Sequence, residues 1–124
     1  MKEQRVVFFP GGSKYVGHMK DGRAHGKGSL IFSYGGKYEG GFKKGKPNGY
    51  GILSMPNGVE YKGEWQDGIL KGDVNCSFSN GVRYVGCIEG GKPHGRGTFF
   101  YSSGKSHGGI WKNGVFLEKD PNSN

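Results

Sequence analysis

Tyr38-Glu39-Gly40-Gly41-Phe42-Lys43-Lys44-Gly45-Lys46-Pro47-Asn48-Gly49-Tyr50-Gly51 decides the fold, because its tyrosine and its glycines return in phase along the chain. Tyr15, Tyr38, Tyr61 and Tyr84 each stand 23 residues after the one before. Gly17, Gly40, Gly63 and Gly86 keep that step, as do Gly22, Gly45, Gly68 and Gly91, and Gly26, Gly49, Gly72 and Gly95. Gly35, Gly58, Gly81 and Gly104 sit near the end of each unit. No insertion breaks the phase from Tyr15 to Ser106. A period of this length means one supersecondary unit stacked on copies of itself.

Counting the tyrosine as position 1, position 5 is Met19, Phe42, Trp65, Ile88 and Trp111. Position 16 is Leu30, Leu53, Cys76 and Phe99, and position 18 is Phe32, Met55, Phe78 and Tyr101. Positions 1, 3 and 5 share parity, as do 14, 16 and 18, so each set lies on one face of a strand. Glycine at this density would break a helix. Each unit therefore reads as a β-hairpin, with strands at about positions 1–6 and 13–18 and a turn at the terminal glycine. A loop centred between positions 9 and 10 sets Trp65 opposite Val74, Gly63 opposite Cys76 and Tyr61 opposite Phe78. Large residues then face small ones, and rings lie over neighbouring backbone. Val74 and Asp73 depart from this pattern, since position 14 is otherwise Gly28, Gly51 or Gly97.

The units divide the chain at 15–37, 38–60, 61–83 and 84–106. Val7, Phe9 and Gly12 keep the phase of Leu30, Phe32 and Gly35, so 1–14 is expected to supply a capping strand, the second strand of a partial repeat. A truncated unit at 107–117 carries Gly109, Trp111 and Gly114, and 118–124 is expected to be a frayed polar tail.

The chain has 124 residues, 27 of them glycine, and is 32% hydrophobic and 14% aromatic. That is too little apolar material for a thick two-layer core, yet the aromatics recur in phase. The composition suits an all-β, thin, twisted sheet with one packed face. The start shows no secretory signal, and no apolar run approaches the roughly 20 residues of a membrane helix. A cytoplasmic protein, at most peripheral to a membrane, is the expectation. Two cysteines without a secretory signal are expected to be free thiols.

Tyr38-Glu39-Gly40-Gly41-Phe42, Gly45-Lys46-Pro47-Asn48-Gly49-Tyr50-Gly51 and Pro56-Asn57-Gly58 resemble the membrane occupation and recognition nexus (MORN) repeat. Tyr61-Lys62-Gly63-Glu64-Trp65-Gln66-Asp67-Gly68 resembles its usual opening. The resemblance covers about residues 5 to 117. Met19 and Ile88 stand where the family more often has an aromatic, and His107 stands for tyrosine. The resemblance implies an elongated, curved, single-layer antiparallel sheet of consecutive hairpins that is not itself catalytic. It implies roles in protein scaffolding, self-association or attachment to acidic phospholipid.

The aromatic stripe is the sharpest feature. Tyr15, Tyr38, Phe42, Tyr61, Trp65, Tyr84 and Trp111 are expected to pack between hairpins, and any part left uncovered is a candidate partner-binding face. Net charge is +8. Lys20, Arg23, Lys27, Lys43, Lys44, Lys46, Lys92 and Arg96 are expected along one loop edge, either as a solvated edge or as a contact for acidic lipid. Nucleic acid is the weaker anionic partner, because the aromatics recur at structural positions rather than in a binding motif. His18, His25, His94 and His107 lack the close spacing of metal ligands. Cys76 and Cys87 are expected on opposite faces, which argues against a bridge between them. Gly22-Arg23-Ala24-His25-Gly26-Lys27-Gly28-Ser29 lacks the spacing and the helix of a phosphate loop. No catalytic constellation survives the folding, so no enzyme, cofactor, metal or small-molecule substrate is expected. Three functions follow: an interaction scaffold or self-associating module, a peripheral membrane adaptor, or a regulatory segment of a separate catalytic partner.

Overall fold

Each unit reverses at two residues with positive φ. Asp21-Gly22, Lys44-Gly45, Asp67-Gly68, Gly90-Gly91 and Asn113-Gly114 all adopt it, the non-glycine residues at 51–53°. This is the tight hairpin turn whose twist matches its flanking strands. The computed structural model describes residues 4–119. They form β1 (Gln4–Phe8), β2 (Lys14–Lys20), β3 (Arg23–Ile31), β4 (Lys37–Lys43), β5 (Lys46–Ser54), β6 (Glu60–Gln66), β7 (Ile69–Ser77), β8 (Arg83–Glu89), β9 (Lys92–Phe100), β10 (Ser106–Lys112) and β11 (Val115–Glu118). All pair antiparallel in sequence order, in one open sheet of 11 strands.

The hairpin register differs from the expected one. A two-residue turn at positions 7 and 8 replaces the longer loop, and the second strand begins at position 9. Tyr38 faces Leu53 and Gly40 faces Gly51; Phe42 then faces Pro47. In unit three Tyr61 faces Cys76, Gly63 faces Val74 and Trp65 faces Leu70. Between the two registers the second strand bulges at Gly49, whose φ is +93°. A side chain is strained in that conformation, so glycine is needed there.

The aromatic phase survives this shift, because the tyrosine ring lies diagonally over position 14. A Cβ at Gly28 would sit 2.6 Å from Tyr15 Cε1, and one at Gly97 would sit 2.6 Å from Tyr84 Cε1. The hydroxyls donate to the position-4 carbonyl of the same strand: Tyr15 to His18 at 2.6 Å, Tyr38 to Gly41 at 3.0 Å and Tyr84 to Cys87 at 2.7 Å. Each such bond contributes about 1 kcal/mol. Tyr15, Tyr38 and Tyr84 are each only 1% exposed.

Neighbouring hairpins are stitched as well as paired. The turn amides of Gly45, Gly68 and Gly114 donate to the carbonyls of Ala24, Pro47 and Pro93 in the preceding unit, at 3.0, 2.9 and 2.9 Å. Trp65 Nε1 donates to Gly51 O at 3.1 Å, and Trp111 Nε1 to Gly97 O at 2.9 Å. Rings meet edge to face across the same junctions, Tyr15 with Phe42 at 5.0 Å and Tyr38 with Trp65 at 5.3 Å. The core divides into two clusters, one around Tyr15, Tyr38 and Phe42, the other around Val74, Cys76 and Tyr84.

β1 pairs with β2 so that Val7 faces Tyr15, as Leu30 faces Tyr38. At the other end the fifth unit makes a hairpin, with Trp111 opposite Phe116 and Glu118 within β11. The rest of the expected frayed tail, from 120 onward, lies outside the described residues.

Candidate interaction surfaces

A single-layer sheet has two faces, and the structure spends most of one on itself. Tyr15, Tyr38, Phe42, Tyr84 and Trp111 are buried. Among the seven rings expected to offer a partner surface, Tyr61 and Trp65 alone are half-buried. The reason is the edge-to-face stacking across junctions, which hides ring faces as well as edges. The sheet face therefore presents the rims of the stripe rather than its recurring rings.

The cations separate into two groups. Lys20, Arg23, Lys43, Lys44, Lys46 and Lys92 flank the tight turns and are exposed. Lys27 and Arg96, expected on the same edge, instead lie within β3 and β9, past the bulge and on the other face. The two-residue turn moves position 13 off the edge. Lys27 lines a groove of about 750 Å³ with Glu39, Tyr50 and Ile52. Arg96 lines one of about 360 Å³ with Asp73, Val85 and Thr98.

The edge is also uneven. Units one and two carry Lys20, Arg23, Lys43, Lys44 and Lys46 against Asp21, whereas unit three offers Gln66, Asp67 and Ile69. Lys20, Arg23, His25 and Lys44 line a small pocket of about 150 Å³ with Asp21. Elsewhere cations are matched locally, as in Lys62 with Glu60 at 3.7 Å, an exposed pair of little energetic weight.

An apolar groove that residue patterning did not single out opens on the aromatic face of unit one. It holds about 390 Å³ and is lined by Val7, Tyr15, Met19, Ala24, Leu30 and Phe32, among others. The signal was present in Met19, which stands where the other hairpins mostly carry a ring.

The reactive residue types are quiet. Burial pushes the Cys76 thiol up to about 11. The Cys87 thiol donates to Asp73 Oδ1 at 3.1 Å, and that bond, then burial, raises it too. Thiols held protonated are poor nucleophiles, and both are free. His94 Nδ1 accepts the Asn113 amide at 3.3 Å, and its Nε2 lies 3.5 Å from Glu89. Among the described residues no group of three metal-ligating side chains occurs, and no helix is long and apolar enough to cross a membrane.

No curated protein matches the chain. Among solved structures, the chain is similar to the TCP domain of SAS-4 (dCPAP) from Drosophila melanogaster, solved in complex with a proline-rich motif of Ana2 (dSTIL). The likeness is 15% in sequence identity with a TM-score of 0.37, over 86% of this chain and 77% of that one. The MORN repeat family model matches residues 15–37, 38–60, 61–72 and 84–106, the third match ending one residue before Asp73. With hairpins, glycines and tyrosines in the register described above, the chain belongs to the MORN repeat family.

Proposed function

We propose that the chain is a non-enzymatic binding module that holds a protein partner, or a second copy of itself, on its open sheet. The observation that carries this reading is the exposure left after the recurring rings are buried. Phe8 is 75% exposed, Tyr50 59% and Ile69 57%, with no second layer over either face among the described residues. Large apolar side chains left open on a sheet favour association. The outer strands β1 and β11 add unpaired backbone to which another strand can add. Light scattering across a concentration series tests self-association. Cross-linking of a captured partner, followed by reconstitution from purified proteins, tests the wider reading. A strict monomer that reconstitutes no complex would sink it.

The crowding of five cations around the turns of units one and two supports a second reading, contact with acidic phospholipid. Each basic residue near an anionic leaflet contributes about 1 kcal/mol, weakened by salt. Flotation with vesicles with and without an acidic phosphoinositide, at two salt concentrations, checks it; no binding at low salt ends it. Under either reading the module acts in the cytoplasm, at a membrane surface in the second.

A further inference from the structure

The aromatic face is closed differently in each hairpin by the side chains at positions 5 and 10. In unit two the pair is Phe42 and Pro47, in unit three Trp65 and Leu70, in unit four Ile88 and Pro93, and in the fifth Trp111 and Phe116. In unit one it is Met19 and Ala24, the least bulky of the five. The volume that a ring fills in units two, three and five is here the groove of about 390 Å³. Its size is that of a pocket able to enclose a side chain or small ligand. Tyr15, Leu30, Val7 and Phe32 line it with Met19 and Ala24.

One charged residue lines this groove, Arg23. The same Arg23 belongs to the neighbouring turn pocket, where Lys20, His25 and Lys44 stand with one carboxylate, Asp21. An apolar cavity and a cationic rim therefore share a residue, in the part of the edge where positive charge is densest. A partner that fits both must bring an apolar anchor and negative charge together.

We propose that this groove receives the aromatic side chain of an acidic peptide segment. The anchor sits over Met19 and Ala24 while flanking carboxylates meet Arg23, Lys20 and Lys44. The inference rests on the protein-binding reading above and names the site and the partner chemistry. Anchors seated in apolar pockets carry most of the energy of such contacts, and complementary charge around them speeds encounter and makes it salt-sensitive.

The repeat supplies its own control. The double substitution Met19→Phe with Ala24→Pro installs the pair found in unit two, which shares the register of unit one and its tyrosine-over-glycine packing, so the hairpin accommodates it while the groove fills. A dye-labelled short peptide with one phenylalanine among glutamates and aspartates is titrated by fluorescence anisotropy at two salt concentrations. Saturable binding is expected. It should weaken about ten-fold or more when the peptide phenylalanine becomes alanine, and equally in the filled variant. Arg23→Glu should also weaken it and flatten its salt dependence. Thermal melts of each variant verify folding, and the filled variant should melt no lower than the parent. Absence of peptide binding, or equal binding by the filled variant, overturns the proposal. Phosphatidylcholine–phosphatidylserine vesicles form a parallel arm, and vesicle binding lost on filling the groove would assign it to lipid and overturn the proposal. A reconstituted protein complex that the filled variant forms as well as the parent would refute the groove while leaving the binding-module reading intact.

Discussion

Units two and three carry the same tyrosine, glycines and turn, yet pack them differently. In unit two Tyr38 lies over Gly51, bonds the Gly41 carbonyl and is 1% exposed. In unit three Val74 stands where Gly51 does, and Tyr61 is half-buried without the equivalent bond among the described residues. The space over Gly63 is held instead by Leu70 Cδ1 and Val74 Cγ1, 3.1 and 3.3 Å from where a Cβ would sit. The ladder changes with it. Position 4 lies outside its own hairpin's ladder in unit two, but Glu64 pairs with Lys71 in unit three. Tyrosine and glycine thus act as a pair across the hairpin, and one larger residue at position 14 converts ring-on-backbone packing into aliphatic packing. The core splits into two clusters at this unit.

Exchanging the two arrangements gives the largest expected effect. Gly51→Val would place a Cβ 2.5 Å from Tyr38 Cε1, and displacing the ring should cost about 2–3 kcal/mol. The reciprocal Val74→Gly removes a residue that is 3% exposed and should cost about 2 kcal/mol through the cavity it leaves. Urea denaturation measures both. Unchanged stability in Gly51→Val would break the pairing of tyrosine with glycine. A loss under about 1 kcal/mol in Val74→Gly, with Tyr61 newly protected from solvent, would show that the ring swings in once the glycine is there.

The same contrast explains what was legible beforehand. Phase and parity sufficed for the all-β hairpin repeat, for the stripe and for the departure at Asp73-Val74, since these depend on residue type at fixed spacing. Register was not legible from parity alone, because a shift of two residues keeps every side chain on its face. Asp21-Gly22, Asp67-Gly68 and Asn113-Gly114 held the missing information, being pairs that favour a two-residue turn. Misplacing that turn also put Lys27 and Arg96 on the wrong surface. The groove in unit one depends on the combined volume of Met19 and Ala24, which become partners only once the register is known.

Removing one hydroxyl probes the comparison more gently. Tyr38→Phe loses the bond to Gly41 and should cost about 1 kcal/mol, whereas Tyr61→Phe should stay within about 0.5 kcal/mol. Equal losses would mean that the hydroxyl is not what separates the units. Burial, with the Glu64 charge second, pushes the Tyr38 hydroxyl up to about 12; burial does the same to Tyr84, helped by Cys87, Cys76 and Asp73. A raised value means that the folded chain holds the proton more tightly than the unfolded one. The stabilisation is therefore intact below pH 10, the ordinary tyrosine value, and is lost as pH climbs from 10 to about 12. Melting temperature should fall across that window, less steeply in Tyr38→Phe; an identical slope would discount the buried hydroxyl.

The smallest effect lies beside Val74. Position 13 is basic or aromatic in Lys27, Tyr50 and Arg96, but in unit three it is Asp73, opposite Cys87 on β8. Its carboxylate accepts a hydrogen bond from the thiol, S···O 3.1 Å, and raises the value of Cys87. Asp73→Asn removes that charge and should free more thiolate at pH 8, speeding the reaction of Cys87 with a disulfide reagent about three- to ten-fold. Buried Cys76 should stay slow in both proteins. A Cys87 rate indifferent to Asp73→Asn would leave Val74 alone responsible for what distinguishes unit three. A faster rate would show that the Asp73-Val74 pair alters both faces of the sheet, packing on one and thiol chemistry on the other.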